Sequence, residues 1–147
     1  MKGKVEIRPI CVDDLRNLFM TGKERCGYLS GACAISWNEK NLAEIIADNP
    51  ELSVAAFYKK TITGFIIGAL ENGGTAAVKW LWAEKPADND IAGRLLHAFQ
   101  QCLKEKNINK IRVSVTESSS ELIELFLKFG FTETEHVLIM ENFLPKN

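Results

Sequence analysis

Histidine is scarce in this chain, with only His97 and His136, and the four cysteines, Cys11, Cys26, Cys33 and Cys102, form no CxxC pair and have no histidine clustered with them. Zinc sites need closely spaced ligands of these types, so a metal centre is not expected. No Gly-x-Ser-x-Gly elbow offers a serine nucleophile. Gly64, Gly68, Gly73 and Gly74 do not open a helix, as a nucleotide-binding fingerprint requires. No apolar run approaches the roughly 18 residues of a membrane span, and no cleavable leader precedes Val5. An excess of one charge is also missing: 18 basic against 19 acidic residues leave a formal charge of −1, so no broad field draws in nucleic acid or an anionic membrane. The cluster Lys104, Lys106, Lys110 and Arg112 reads as a solvated helix end. With the cysteines free, a reducing cytoplasm is the expected compartment.

What remains is the composition of an ordinary globular domain, 46% hydrophobic and 25% charged over 147 residues. That length suits one domain over residues 1–147, burying roughly two-thirds of the surface of the unfolded chain.

The pattern of elements is legible from end to end. Val5, Ile7 and Ile10 around Arg8-Pro9 predict a first strand, and Val12-Asp13-Asp14-Leu15 offers aspartate caps to a helix running toward Met20. Thr21 to Ala34, rich in Gly, Ser and Cys, has no period and reads as a loop. Ser36 opens a second helix with Trp37, Leu42, Ile45 and Ile46 on one side, stopped at Asn49-Pro50. Leu52–Tyr58, Ile62–Leu70 and Thr75–Ala83 form a three-strand meander, turned at Lys59-Lys60-Thr61 and Asn72-Gly73-Gly74. Ile91, Leu95, Leu96, Phe99, Cys102 and Leu103 fall on one side of a helix from about Asp90 to Lys106.

Ile111, Val113 and Val115 alternate as a strand. Ser118-Ser119-Ser120-Glu121 then reads as a capping box before a helix ending at Gly130, and Val137–Phe143 supplies a last strand. The order is βααβββαβαβ. It implies a single α/β domain with a mixed, mostly antiparallel sheet flanked by helices.

From Val78 to Phe131 this order resembles the acyl-CoA-binding half of the GNAT N-acetyltransferase superfamily. The family's loop reads Gln/Arg-x-x-Gly-x-Gly/Ala before a helix with paired leucines. Matching through Ile91 and Leu95-Leu96 places Ala87, Asp90 and Ala92 at the three marked positions, of which Ala92 alone obeys the pattern. Leu125-Phe126-Leu127-Lys128-Phe129-Gly130-Phe131 is similar to the family's Leu-Tyr-x-Lys-x-Gly-Phe ending, with Phe126 where the tyrosine stands.

The resemblance implies transfer of an acetyl group from acetyl-CoA to a primary amine. Its acyl-CoA site would be formed by the strand Trp80, Leu81 and Trp82, the loop Ala87, Asp88 and Asn89, and the helix start Asp90, Ile91, Ala92, Gly93 and Arg94, together with Ser118 and Phe126. Backbone of an extended strand pairs with the pantetheine amides, and a helix N-terminus holds pyrophosphate. Asp88 and Asp90 oppose that anion, at on the order of 1 kcal/mol each in wet surroundings, with Arg94 as the compensating cation; as caps, Asp88, Asn89 and Asp90 complement the helix dipole instead. A phenyl ring at position 126 has no proton to give a departing thiolate. Glu71 falls near the place of a general base in some members, although an exposed turn carboxylate is the plainer reading.

Trp80 and Trp82 give one strand face an aromatic character, suited to core packing or to the wall of a ligand groove. The acceptor amine would be set by the loops near Thr21–Ala34 and the last hairpin. Two copies could pair through edge strands, with Val137–Met140 apolar enough to serve. The alternative function is a GNAT-like domain that has lost catalysis and binds a small molecule or a protein.

Overall fold

The computed structural model describes residues 4–25, 37–71, 74–84, 90–115 and 120–135, together with positions 138, 140, 142, 144 and 145. Its elements run β1 (Val5–Pro9), a 3-10 turn (Val12–Asp14), α1 (Leu15–Arg25), α2 (Glu39–Asp48), β2 (Ser53–Tyr58), β3 (Thr61–Glu71), β4 (Thr75–Ala83), α3 (Ile91–Glu105), β5 (Lys110–Val113) and α4 (Ser120–Lys128). The sheet order is β1-β2-β3-β4-β5. The first three pairings are antiparallel and β4/β5 is parallel, as expected for a meander followed by a helical crossover. This is the mixed, helix-flanked sheet implied by the order of elements.

Alternation along the strands splits the core in two. Ala55, Phe57, Phe65, Ile67, Ala69 and Trp80 meet Leu18 of α1 and Leu42, Ile45 and Ile46 of α2 on one face. Val54, Ala56, Ile66, Ala76, Val78 and Leu81 meet α3 through Ile91, Leu95, Leu96, Phe99 and Leu103, and α4 through Phe126, on the other. Helix α3 lies close because β3 carries glycines beneath it. A Cβ at Gly64 would fall 2.8 Å from Ile91, and one at Gly68 2.4 Å from Phe99.

Several boundaries differ from expectation. Helix α1 runs to Arg25 instead of stopping near Met20. Thr21 is buried and Gly22 lies beneath the Trp37 ring, so packing holds residues that show no apolar period. The helix begins through Asp14, whose carboxylate accepts the Cys11 N–H at 2.9 Å and two Arg8 N–H groups at 2.8 and 3.0 Å. Helix α2 starts at Glu39, not Ser36, because Asn38 caps it by accepting the Asn41 N–H. Strand β5 stops at Val113, short of Val115. Gly130 takes the left-handed conformation, φ +93°, after α4, as expected of a helix stop. The expectations for residues 26–36, the Asn72-Gly73 turn, Ala87, Asp88, Asn89, Ser118, His136 and most of the Val137–Phe143 strand lie outside the described residues.

Candidate active site

The candidate site lies where β4 leaves its neighbour β5. Pairing with β5 runs from Thr75↔Lys110 to Val78↔Val113 and ends there. On the other edge of β4 the register with β3 steps at the same point: Gly68 faces Val78 and Ile67 faces Trp80, so Lys79 is the extra residue of a bulge. A bulge bends its strand and sharpens the local twist, which turns β4 away from β5. From Lys79 to Leu81, β4 therefore runs on with no strand beside that edge among the described residues. The apolar alternation of the sequence located the strand but gave no sign of the bulge, which is a property of register between strands.

At α3 the helix begins on Asp90, whose Oδ1 accepts the Gly93 N–H at 3.0 Å. Gly93 has no side chain to obstruct this: a Cβ there would stand 2.3 Å from Asp90 Oδ2. The carboxylate thus occupies an amide that would otherwise face an anion, and the capping reading of Asp90 is the one realised. Arg94 donates through Nη2 to the Val5 carbonyl of β1 at 3.2 Å. Ile91 is buried under the sheet and Gly93 is buried beside it, while Ala92 is half-buried. An open groove of about 510 Å³ crosses this end of α3, lined by Ile7, Asp90, Gly93, Arg94, His97, Ala98 and Phe129.

Phe126 is 4% exposed and meets Phe131 edge-on at 5.0 Å, the core role expected of a phenyl ring at that position. Glu71 closes the β3–β4 hairpin opposite Thr75, three β4 residues or about 10 Å from the parting point. Each of its oxygens is engaged by a cation: Lys79 Nζ lies 3.8 Å from Oε2 and Arg112 Nη1 3.7 Å from Oε1. These three charged residues share the α1/α2 face. Glu71 follows the alternation of Ile67 and Ala69, and Arg112 points opposite to Ile111 and Val113. Trp80 belongs to the α1/α2 core, Leu81 to the α3/α4 core, and Trp82 packs partly buried with Trp80. A second cavity, of about 460 Å³, surrounds the Arg8–Asp14 pair at the β1 edge and shares no residue with the gap.

Comparisons with known proteins converge on one family. The model of the Acetyltransferase (GNAT) family matches residues 12–131. Among solved structures, the chain is similar to Ard1 from Thermoplasma volcanium, with 17% identity, TM-score 0.74, and coverage of 89% of this chain and 84% of that one. It is similar to the PaiA N-acetyltransferase from Thermoplasma acidophilum in complex with coenzyme A, with 19% identity, TM-score 0.72, and coverage of 91% and 93%. The aminoglycoside acetyltransferase AAC(6')-Iy, in complex with a bisubstrate analogue, gives 15% identity, TM-score 0.72, and coverage of 97% and 100%. No curated protein matches by sequence. With the family model spanning most of the chain and these structures repeating its sheet and helices, the protein belongs to the GNAT acetyltransferase family.

Proposed function

We propose that the protein transfers an acetyl group from acetyl-CoA to a primary amine in the cytoplasm. The observation that carries this reading is the parting of β4 from β5 at Val78 and Val113, with the Lys79 bulge on the opposite edge. An extended chain carrying amides fits such an edge, and the backbone of Lys79, Trp80 and Leu81 is the part that would pair with it. The start of α3, from Asp90 to Gly93, would meet the pyrophosphate once the Asp90 carboxylate gives way.

In the reaction the amine nitrogen forms a bond to the thioester carbonyl carbon as the C–S bond breaks. The nitrogen loses a proton to water. Phe126 has none to give, so solvent protonates the departing thiolate. Positioning and a backbone N–H aimed at the carbonyl oxygen supply the catalysis in this account. Glu71, bridged by Lys79 and Arg112, is retained as a candidate base acting through water.

A second reading, a GNAT domain without catalysis that binds a small molecule or protein, is favoured by two observations: Asp90 seated on the Gly93 N–H and the apolar Phe126. Release of free CoA thiol from acetyl-CoA on addition of a mixed amine panel separates the two. Amine-dependent release supports acetyl transfer, and binding of CoA without any release supports the second reading.

A further inference from the structure

The second cavity plays no part in the transfer proposed above. Four cations, Lys4, Arg8, Lys59 and Lys60, line its roughly 460 Å³ together with two carboxylates, Glu6 and Asp14, and with Asn17 and Phe57. Lys4, Glu6 and Arg8 alternate along β1 with Val5 and Ile7, which pack toward α3, so the cavity opens on the α1/α2 side and the groove lined by Ile7 on the other. Both carboxylates are committed to a single cation. Arg8 donates to Asp14 at 2.8 and 3.0 Å, stands 3.4 Å from Glu6 Oε1 through its Nε, and lies over the buried Phe57 ring at 4.0 Å. The three lysines are left without a counter-charge: among the described residues, no carboxylate stands within ion-pair distance of Lys4, Lys59 or Lys60.

The fold itself sets these lysines together. Val5 pairs with Tyr58 at the end of the β1–β2 ladder, so Lys4 before the one and Lys59 after the other emerge side by side. Like charges opposed across a strand pair are destabilising. Lys59 also takes the left-handed conformation, φ +58°, which glycine or asparagine adopts at less cost, and the chain keeps a lysine there. The Lys60 carbonyl accepts a hydrogen bond from Asn17 Nδ2 at 3.1 Å, which ties the turn to α1. Three ammonium groups around one space suit an anion with more than one charge. A phosphate group offers an oxygen to each of three donors, whereas a carboxylate has two. With the excess positive charge confined to one cavity on a chain of formal charge −1, the fit is to a small anion and not to a nucleic-acid backbone or a membrane.

We propose that this cavity binds a compact phosphate-bearing anion through Lys4, Lys59 and Lys60, at a site separate from the groove across α3. The site does not depend on the acetyl-transfer reading. The rate at which an amine-acetylating reagent modifies each lysine of the native protein, read by peptide mass spectrometry, tests it directly. Inorganic pyrophosphate and the monoester glycerol 3-phosphate are the probes, with sodium chloride at matched ionic strength as the control. A saturable slowing at Lys4, Lys59 and Lys60 is expected with at least one of the two, while Lys104 and Lys128 are unchanged. The stronger probe shows whether the anion is read free or as the end of a larger molecule. No slowing at millimolar concentration, equal slowing in chloride, or slowing shared by Lys104 and Lys128 overturns the proposal. Lys60→Gln leaves the backbone bond to Asn17 in place and removes one charge beside the anion. It is expected to raise the midpoint read at Lys4 and Lys59 about fivefold; an unchanged midpoint would also overturn it. Acetyl-CoA that protects these lysines as strongly as pyrophosphate would make the cavity a seat for the donor's phosphates and overturn a separate site.

Discussion

At Asp90 one carboxylate serves the fold and, in the proposed donor site, opposes the donor. It caps α3 through the Gly93 N–H and, if acetyl-CoA binds as proposed, sets a negative charge beside its pyrophosphate. Glycine costs only a few tenths of a kcal/mol at such a cap, whereas removing a like charge a few ångströms from a wet anion returns about 1 kcal/mol, a factor of about five. Asp90→Gly is therefore expected to tighten acetyl-CoA about fivefold by calorimetry with little loss of stability.

Asp14 behaves differently, because its partners favour the charged form. Hydrogen bonds from the Arg8 guanidinium, with the Cys11 N–H, hold its carboxyl at about 2 against an ordinary 3.8. A depressed folded value means stability that is present in full above about pH 4 and lost as pH falls toward 2. With Arg8 38% exposed, solvent screening limits the contribution to about 1–2 kcal/mol. Urea unfolding of Asp14→Asn is expected to show that loss at pH 7 and a flatter acid profile between pH 4 and 2. The cap at Asp90 could be read from the sequence, as an Asp opening an apolar helical period. The pairing of Arg94 with Val5 could not, since the partners are 89 positions apart and only the folded sheet brings them together.

At the scale of elements, α4 packs one face into the core and leaves the other to solvent. Phe126 is buried against Phe131 while the adjacent Leu127 is 55% exposed, so one side of the helix faces the α3/α4 core. Phe126→Ala is expected to cost about 3 kcal/mol in chemical denaturation and Leu127→Ala less than about 0.5 kcal/mol; equal costs would mean that α4 is turned differently. Most elements followed from periodicity and punctuation, because the meander, α3 and its stop are each set by residues within their own span. The end of α1 did not, because Thr21 is buried and Gly22 is held against Trp37 without a period of their own. The Lys79 bulge escaped for a related reason: alternation fixes which residues form a strand, while the step in register depends on β3 and β4 together.

At the scale of the whole molecule, one sheet separates two layers, and its fourth strand serves both. β4 lends Trp80 to the α1/α2 core and Leu81 to the α3/α4 core, and beyond Val78 it runs on without β5. The sheet and its flanking helices were thus legible in the order of elements, while the start of α3 departs from the family pattern at Asp90, where sequence alone left cap and cradle as competing uses of one position. The measurement that bears most directly on the acetyl-transfer account is calorimetric titration of acetyl-CoA into the native protein at low and moderate salt. The account predicts saturable binding in the micromolar range, weakening as salt screens the charged groups around the pyrophosphate. Absence of binding at millimolar acetyl-CoA would contradict it.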